Sequence, residues 1–301
     1  MTPGTVCVVG SVNADTTLRV RALPGPGETV LAAHRHGSGG GKGANQAAAA
    51  AAAGARVALV AAVGDDEAGG AERAALEERG IDVSRVASVH DATGSAVVVV
   101  AEDGENLIVV HPGANAALDA TSAAAAVAEL RPAVLLGQLE VPLEALAAAA
   151  RARGDGLFVL NPAPMTASPD GLDGLLELTD VLVPNRTELA ALVGRPLPIS
   201  PAEVRACLAA LDCSADVVVT LGADGCLVRS GGVLTEVGAR PADPVDTSGA
   251  GDVFCGVLAA GLANGQGLLP AVRRANELAA LSTTSPGAQV PPGFFSSGVV
   301  H

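Results

Sequence analysis

Aromatic side chains are nearly missing from this sequence. Phe, Trp and Tyr together make 1% of its 301 residues, with four Phe and no Trp or Tyr. That scarcity excludes the stacking platforms that hold single-stranded nucleic acid or RNA. The core must come from Ala, Val and Leu, and 49% hydrophobic content is enough to fill a sizeable one. Positive charge is also short: 18 basic residues face 32 acidic ones, a formal net charge of −14. A field of that sign repels polyanions and anionic membranes, so neither is an expected partner, and a phosphate-bearing ligand needs a locally built anion site. Among the 18 basic residues only Lys42 is a lysine, and it lies in a glycine loop. The five cysteines, Cys7, Cys207, Cys213, Cys226 and Cys255, are odd in number and form no Cys-x-x-Cys pair or Cys/His cluster. Neither a disulfide framework nor a zinc site is indicated. No Ser/His/Asp triad or His-Glu-x-x-His pattern occurs, and none of the five histidines is an expected catalyst. The longest apolar stretch, Ala47 to Val63, is mostly alanine, broken by Gly54 and Arg56, and falls short of a membrane span. Met1 to Gly10 lacks the basic start and cleavage site of a secretory signal. The expectation is a soluble cytoplasmic protein.

What is present has a rhythm. Short β-branched runs (Val6–Val9, Val57–Val60, Val134–Leu136, Leu157–Leu160, Val181–Val183, Val217–Thr220) alternate with helical stretches (Ala44–Ala53, Ala68–Arg79, Leu143–Arg153, Ala202–Leu211). This spacing predicts βαβ units in a three-layer α/β/α sandwich around a mostly parallel sheet. Two segments break the pattern, about 12–38 and 93–112, where strand follows strand with no helix. In the second, Ala96–Ala101 and Leu107–His111 flank a Gly-containing hairpin loop. Strands inserted at two points predict one small sheet, a discontinuous β lid, on a single domain spanning 1–301. Alanine tracts at 47–53 and 123–126 read as helix.

Four constellations carry candidate chemistry. Gly37-Ser38-Gly39-Gly40-Gly41-Lys42-Gly43-Ala44-Asn45-Gln46 opens the alanine helix, so its backbone can approach a ligand and its amides can hold an anion or hydroxyl oxygens. It is not a Walker A loop, since His36 stands where the first glycine belongs and Gly43 follows the lysine. Gly39-x-Gly41-x-x-Ala44 fits the loose dinucleotide fingerprint, but the first strand ends near Gly10 and the required strand-to-helix turn is not expected. Asp246-Thr247-Ser248-Gly249-Ala250-Gly251-Asp252 predicts a turn whose Gly249, Ala250 and Gly251 amides form an anion hole at a helix start. Asp252 there would stay ionised and take a proton from an attacking hydroxyl. Asn13 and Asp15, two apart after the first strand, share a face and suit sugar hydroxyls. Gln138-Leu139-Glu140 and Asn185-Arg186-Thr187-Glu188 follow strands, where open α/β sheets bind ligands. Each motif also has a plain alternative as a helix cap, an Asx turn or a packing turn.

Together and in this order the motifs resemble the PfkB, or ribokinase-like, family of sugar and nucleoside kinases over about residues 5–290. Gly40-Gly41-Lys42-Gly43-Ala44-Asn45 with Ala47, Gly54 and Gly64 matches the first family signature, and Asp246 to Asp252 matches the core of the second. Gly104-Glu105-Asn106, Pro112-Gly113-Ala114-Asn115, Gln138-Leu139-Glu140, Asn161-Pro162-Ala163-Pro164, Asn185-x-x-Glu188 and Thr220-Leu221-Gly222 add to it. The resemblance implies a three-layer sandwich with a small β lid, and Asp252 as the base that activates a sugar's 5-hydroxyl. It implies that Asn13, Asp15, Gly41, Asn45 and Glu140 hold the sugar and that Lys42 approaches the phosphoryl oxygens. Asn185 and Glu188 would organise Mg²⁺ that arrives with ATP. Thr220, Gly222, Gly251 and Asn276 would line the nucleotide site. Asp246, Ser248, Ser282, Ser285 and Gly287 would form a monovalent-cation site for K⁺ as an activator. In Gly287-Ala288-Gln289-Val290-Pro291-Pro292 the serine usual in the family is absent, so the resemblance is weakest at that site. Lid strands of the family pair between subunits, which implies a homodimer. The all-polar sugar set and the lack of aromatic surface for a base favour ATP-dependent phosphorylation of D-ribose at O5. Another sugar or a nucleoside is the alternative acceptor, and a non-catalytic sugar or nucleotide sensor is a third reading. Cys255, three residues after Asp252, reads as a buried packing residue ahead of a reactive thiol. The tail Gly293–His301, rich in Ser and Gly, is expected to lack a closing helix.

Overall fold

A computed structural model describes residues 4–165 and 168–297 of the chain. Its first half alternates as the sequence rhythm predicts: β1 (Thr5–Val9), β2 (Asn13–Arg19), β3 (His34–Gly40), α1 (Lys42–Ala52), β4 (Arg56–Gly64), α2 (Glu67–Glu78), β5 (Asp82–Val89), β6 (Ser95–Val100), β7 (Asn106–His111), α3 (Ala120–Leu130), β8 (Val134–Gln138) and α4 (Leu143–Ala152). The second half runs β9 (Leu157–Asn161), α5 (Leu172–Leu176), β10 (Val181–Leu182), α6 (Arg186–Leu192), α7 (Pro201–Ala210), β11 (Asp216–Thr220), β12 (Cys226–Ser230), β13 (Val233–Val237), α8 (Ala250–Ala263), α9 (Leu268–Ser282) and α10 (Phe294–Ser297).

Nine strands make one sheet in the order β13-β12-β11-β10-β9-β8-β1-β4-β5. It is parallel from β11 to β5, and at one edge the β11–β12 and β12–β13 pairs are antiparallel. Strand β1 lies inside the sheet, between β8 and β4, and is apolar on both faces, as a strand covered from two sides must be. Its alternation divides the core in two. Val6 and Val8 pack with residues of α1, α8 and α9, while Cys7 and Val9 pack with residues of α3, α4, α6 and α7. This is the expected three-layer sandwich.

Strands from the two helix-free segments form a separate four-stranded sheet, β3-β2-β6-β7. Asn13 and Asp15 both lie on β2, paired with Gly40 and Ser38 of β3. One sequence expectation is corrected: a strand does run straight into the glycine-loop helix, since β3 ends at Gly40 and α1 starts at Lys42. It pairs antiparallel with β2 in the small sheet instead of joining the parallel one, so the fingerprint's βαβ setting is still missing. The tail is also corrected in part. Phe294–Ser297 makes a helical turn, because Phe295 is buried and its ring meets Phe294 edge-on at 5.5 Å. Residues 298–301 of the expected non-helical tail lie outside the described residues.

Candidate active site

The site is set by how closely two helices approach. Gly256 on α8 faces α1 with no side chain; a Cβ there would lie 2.3 Å from the Gln46 carbonyl oxygen and 2.8 Å from the Ala49 Cβ. Alanines on α1 keep the other side equally thin. Backbones this near bring the polar start of α1 against the polar start of α8.

Helix α8 opens at Gly249, in the left-handed region at φ 70°. A Cβ at Gly249 would lie 2.3 Å from the Ala288 carbonyl oxygen, so both conformation and space demand glycine. Asp252 sits in the first turn, where the helix dipole favours negative charge, and is buried. Its Oδ2 accepts a hydrogen bond from Asn45 Nδ2 at 3.1 Å and its Oδ1 one from Gln46 Nε2 at 3.0 Å. Lys42 Nζ stands 3.9 Å from Oδ1. The Asp252 charge, against burial and with help from Glu140 and Glu188, holds the Lys42 ammonium above its usual range, so it stays protonated. Among the three turn amides, that of Ala250 donates to the Thr247 carbonyl at 3.3 Å, a long bond that an incoming anion would share.

Polar groups from β2, α1 and the end of β8 gather beside this centre. Glu140 accepts from the Ser11 hydroxyl and, at 2.9 Å, from the Lys42 amide, tying the segment after β8 to the glycine loop. Gly41, at φ 84°, makes the turn between β3 and α1. Asn13 is buried, and its Oδ1 accepts from Asn115 Nδ2 at 2.8 Å, which leaves its NH₂ as the available donor. Asp15 accepts from the Ala96 amide at 2.8 Å; burial, outweighing that bond and joined by the Glu140 charge, pushes its carboxyl up to about 6. Asn45 Oδ1 is buried with no partner in the chain, an acceptor suited to a ligand hydroxyl.

On the other side a cavity of about 520 Å³ is lined by Thr220, Gly222, Ala250, Gly251, Phe254 and Asn276, among others. Gly251 therefore forms its wall while the next residue, Asp252, faces Asn45 and Lys42. Asn276 donates to the Gly238 carbonyl at 2.9 Å. Asn185 and Glu188 form a reciprocal capping box at the start of α6, so the cap alternative is realised at these positions. Glu188 is nonetheless buried; desolvation, countered by the Asn185 amide and Lys42, raises its pKa. Each of its oxygens accepts one N–H from Asn185, leaving further lone pairs that suit a hydrated Mg²⁺, which keeps most of its waters and takes few protein ligands.

In the cation segment Asp246 bridges two loops, accepting from the Ser248 and Gly287 amides at 2.9 Å each. Burial opposes ionisation, but those two amides and the Arg19 charge carry its pKa below the usual value. Ser282 turns its hydroxyl to the Ala279 carbonyl and Ser285 donates its amide to the Ser282 carbonyl, so neither serine meets Asp246 through these bonds. Cys255 is fully buried; desolvation first, then the Asp252 and Glu188 charges, push its thiol well up, which makes it a packing residue.

Four buried amide residues belong to the centre: Gln46, Asn161 and Asn115, to which the motif reading gave no role, and Gln138, which it placed at a ligand-binding strand end. A signal existed, since β8 and β9 are apolar strands that each end in an amide, an arrangement that burial permits only with partners.

A sandwich with a carboxylate at a helix start, between a hydroxyl-matching set and a nucleotide-sized cavity, is the architecture of a sugar kinase. The family model for pfkB family carbohydrate kinases matches residues 4–292, and the chain belongs to that family. It is similar to the ribokinase of Haemophilus influenzae, 36% identical over 95% of this chain and 94% of the relative. It is similar also to the ribokinase of Bacillus subtilis, 37% identical over 94% of each. The solved structure of Arabidopsis thaliana ribokinase complexed with ribose and ATP superposes with a TM-score of 0.85 at 32% identity, covering 96% of this chain and 95% of that one. Among the described residues no helix is long and apolar enough to cross a membrane.

Proposed function

We propose that this chain phosphorylates D-ribose at O5 with ATP. The observation that carries the reading is the junction at the start of α8: Gly251 lines the cavity while Asp252 meets Asn45, Gln46 and Lys42. A phosphoryl donor in the cavity and a hydroxyl beside Asp252 would face each other across that turn.

The residues then divide the work. Asp252 accepts the proton of the 5-hydroxyl as its oxygen attacks the γ-phosphorus, and the bond to ADP breaks as the new P–O bond forms. Lys42 and the Gly249–Gly251 amides offset charge on the transferring group. Asn13 donates a bond to a sugar hydroxyl, and Asp15, Asn45 Oδ1 and Glu140 accept bonds from sugar hydroxyls. A site built in this way rejects acceptors that lack one, because its buried groups are left unpaired. Thr220, Gly222 and Asn276 line the nucleotide side. Glu188, with Asn185, would hold the water shell of Mg²⁺, which when bound would neutralise phosphate charge.

We assign the four-stranded sheet as a lid, since β2 carries Asn13 and Asp15 and β3 leads into Gly41. Asp246, held ionised between the two loops, supports a K⁺ site made with neighbouring carbonyls. We place the enzyme in the cytoplasm, in keeping with five unpaired cysteines, and expect it to pair through the lid.

The test is ADP release from Mg·ATP with D-ribose, with K⁺ or choline, beside an Asp252→Asn control. Ribose-dependent turnover lost in the control, by about 10²-fold or more, supports the assignment. Turnover on 2-deoxyribose, a ketohexose or a nucleoside in preference to ribose would move the acceptor; equal rates with K⁺ and choline would remove the cation site.

A further inference from the structure

We infer that Gln46 is a positioning residue for Asp252, its amide oriented by a buried chain of side-chain amides that begins at a backbone carbonyl. The inference rests on the reading of Asp252 as the base.

The orientation follows from donors and acceptors alone. The Val183 carbonyl can only accept, so Asn161 must turn Nδ2 toward it, at 2.9 Å. Asn161 Oδ1 then faces Gln46 and accepts from its Nε2 at 3.1 Å. With its NH₂ so placed, Gln46 gives the second N–H to Asp252 Oδ1 at 3.0 Å. Its own Oε1 accepts from Gln138 Nε2 at 2.7 Å. Flipping any one of these amides would set acceptor against acceptor or donor against donor, so the chain has one solution.

Burial gives that solution its strength. Gln46 and Gln138 are fully inaccessible and Asn161 nearly so, and in such surroundings a mispaired amide is costly. The chain ends on Gln138 Oε1, which has no partner. A network serving stability alone gains nothing from three buried amides and an orphaned acceptor, when apolar groups of the same shape would do as well. What the chain does deliver is a fixed N–H at Asp252. Asn45 supplies the bond to the other oxygen, so the carboxylate plane is pinned by one donor per oxygen and is not neutralised. The charged and titratable groups around it are Lys42 from α1, Glu188 from α6, Glu140 after β8, which acts through Lys42, and the Cys255 thiol of α8.

Gln46→Glu keeps the shape and replaces the donor with a second carboxylate. The pair would share a proton, and Asp252 would be freed only when both ionise. The acid limb of kcat should move up by about one pH unit or more, with kcat falling most on the acid side of pH 7. The KM values for ribose and ATP should stay within about threefold, because no substrate contact is removed. Gln138→Met removes the bond that pins Gln46, the one side-chain hydrogen bond that Gln138 makes among the described residues. It should lower kcat about fivefold, with a limb shift in the same direction. Thermal melting shows which variants are folded. A folded Gln46→Glu with the wild-type acid limb overturns the inference. If that variant does not fold, Gln138→Met decides, and wild-type kcat and limb there overturn it equally. Asp252→Asn, run in parallel, separates the two levels. Ribose-dependent turnover surviving in it removes the base and this inference together; an inactive Asp252→Asn beside unshifted Gln46 and Gln138 variants removes the positioning role alone.

Discussion

Asp15 and Glu72 show how much one carboxyl depends on where the chain buries it. Burial, above the effect of the Ala96 amide, pushes Asp15 up to about 6. If Asp15 accepts from a sugar hydroxyl as proposed, protonation removes that acceptor, and KM for ribose should rise as pH falls through about 6. Asp15→Asn should raise KM at pH 7.5 and flatten that rise; steady-state KM from pH 5 to 8 reads both, and a KM independent of pH in the wild type would contradict the role. Glu72 on α2 is pushed up to about 7 by burial and then by the Asp15 charge, with Arg79 opposing. Its folded pKa lies above its unfolded one, so its favourable contribution is complete at low pH and is lost as pH rises through about 7. Tm should therefore climb between pH 8 and pH 6, and Glu72→Gln should remove most of that slope in a melting series. Asn13 and Asp15 were legible in sequence because period two puts them on one face. Glu72 was not, since its burial comes from α2 reaching under Gly39, where a Cβ would lie 2.4 Å from Glu72 Oε2. Asn185 and Glu188 carried both a cap signal and a ligand signal, and local pattern cannot separate two uses of the same side chains.

At the scale of elements, the contact between α1 and α8 decides whether a site exists. Alanine runs were legible as helix, but their deeper role is thinness, and it needs Gly256 opposite to act. Gly256→Ala would improve helix propensity by about 1 kcal/mol, yet its Cβ would meet the Gln46 carbonyl and the Ala49 methyl at 2.3 and 2.8 Å. Overpacking of that kind costs about 1–3 kcal/mol. A net loss in denaturant stability is expected, with kcat falling more than KM changes as Asn45 and Gln46 retreat from Asp252. A variant at least as stable as the wild type would show that the helices are not held at contact. The parallel strands were legible as short β-branched runs between helices. Strand β3 was harder to assign, because His34-Arg35-His36-Gly37-Ser38-Gly39-Gly40 has no apolar face and takes its sheet partner from β2 alone.

For the whole molecule, the unfinished surface is the small sheet. Its edge strand β7 exposes Leu107, Ile108, Val109 and Val110 in succession, with Ile108 at 56% and Val109 at 58%. Consecutive residues of a strand point to opposite faces, so β7 is covered on neither. An edge with an unpaired backbone row and four apolar side chains invites another strand or another sheet. A second copy offers the same apolar strip by two-fold symmetry, a self-complementary contact that covers both β7 edges at once. Dimerisation through β7 would also couple catalysis to assembly, since β6 lies beside β7 and its Ala96 amide holds Asp15. Light scattering at micromolar concentration should give the mass of a dimer for the wild type. Ile108→Glu combined with Val110→Glu should give a folded monomer. Its ribose KM should rise while ATP binding is retained, because the loosened sheet carries Asn13 and Asp15, proposed above to hold the sugar, and none of the residues lining the cavity. A wild type that stays monomeric at high concentration, or a charged double variant that stays dimeric, would place the subunit contact elsewhere or remove it.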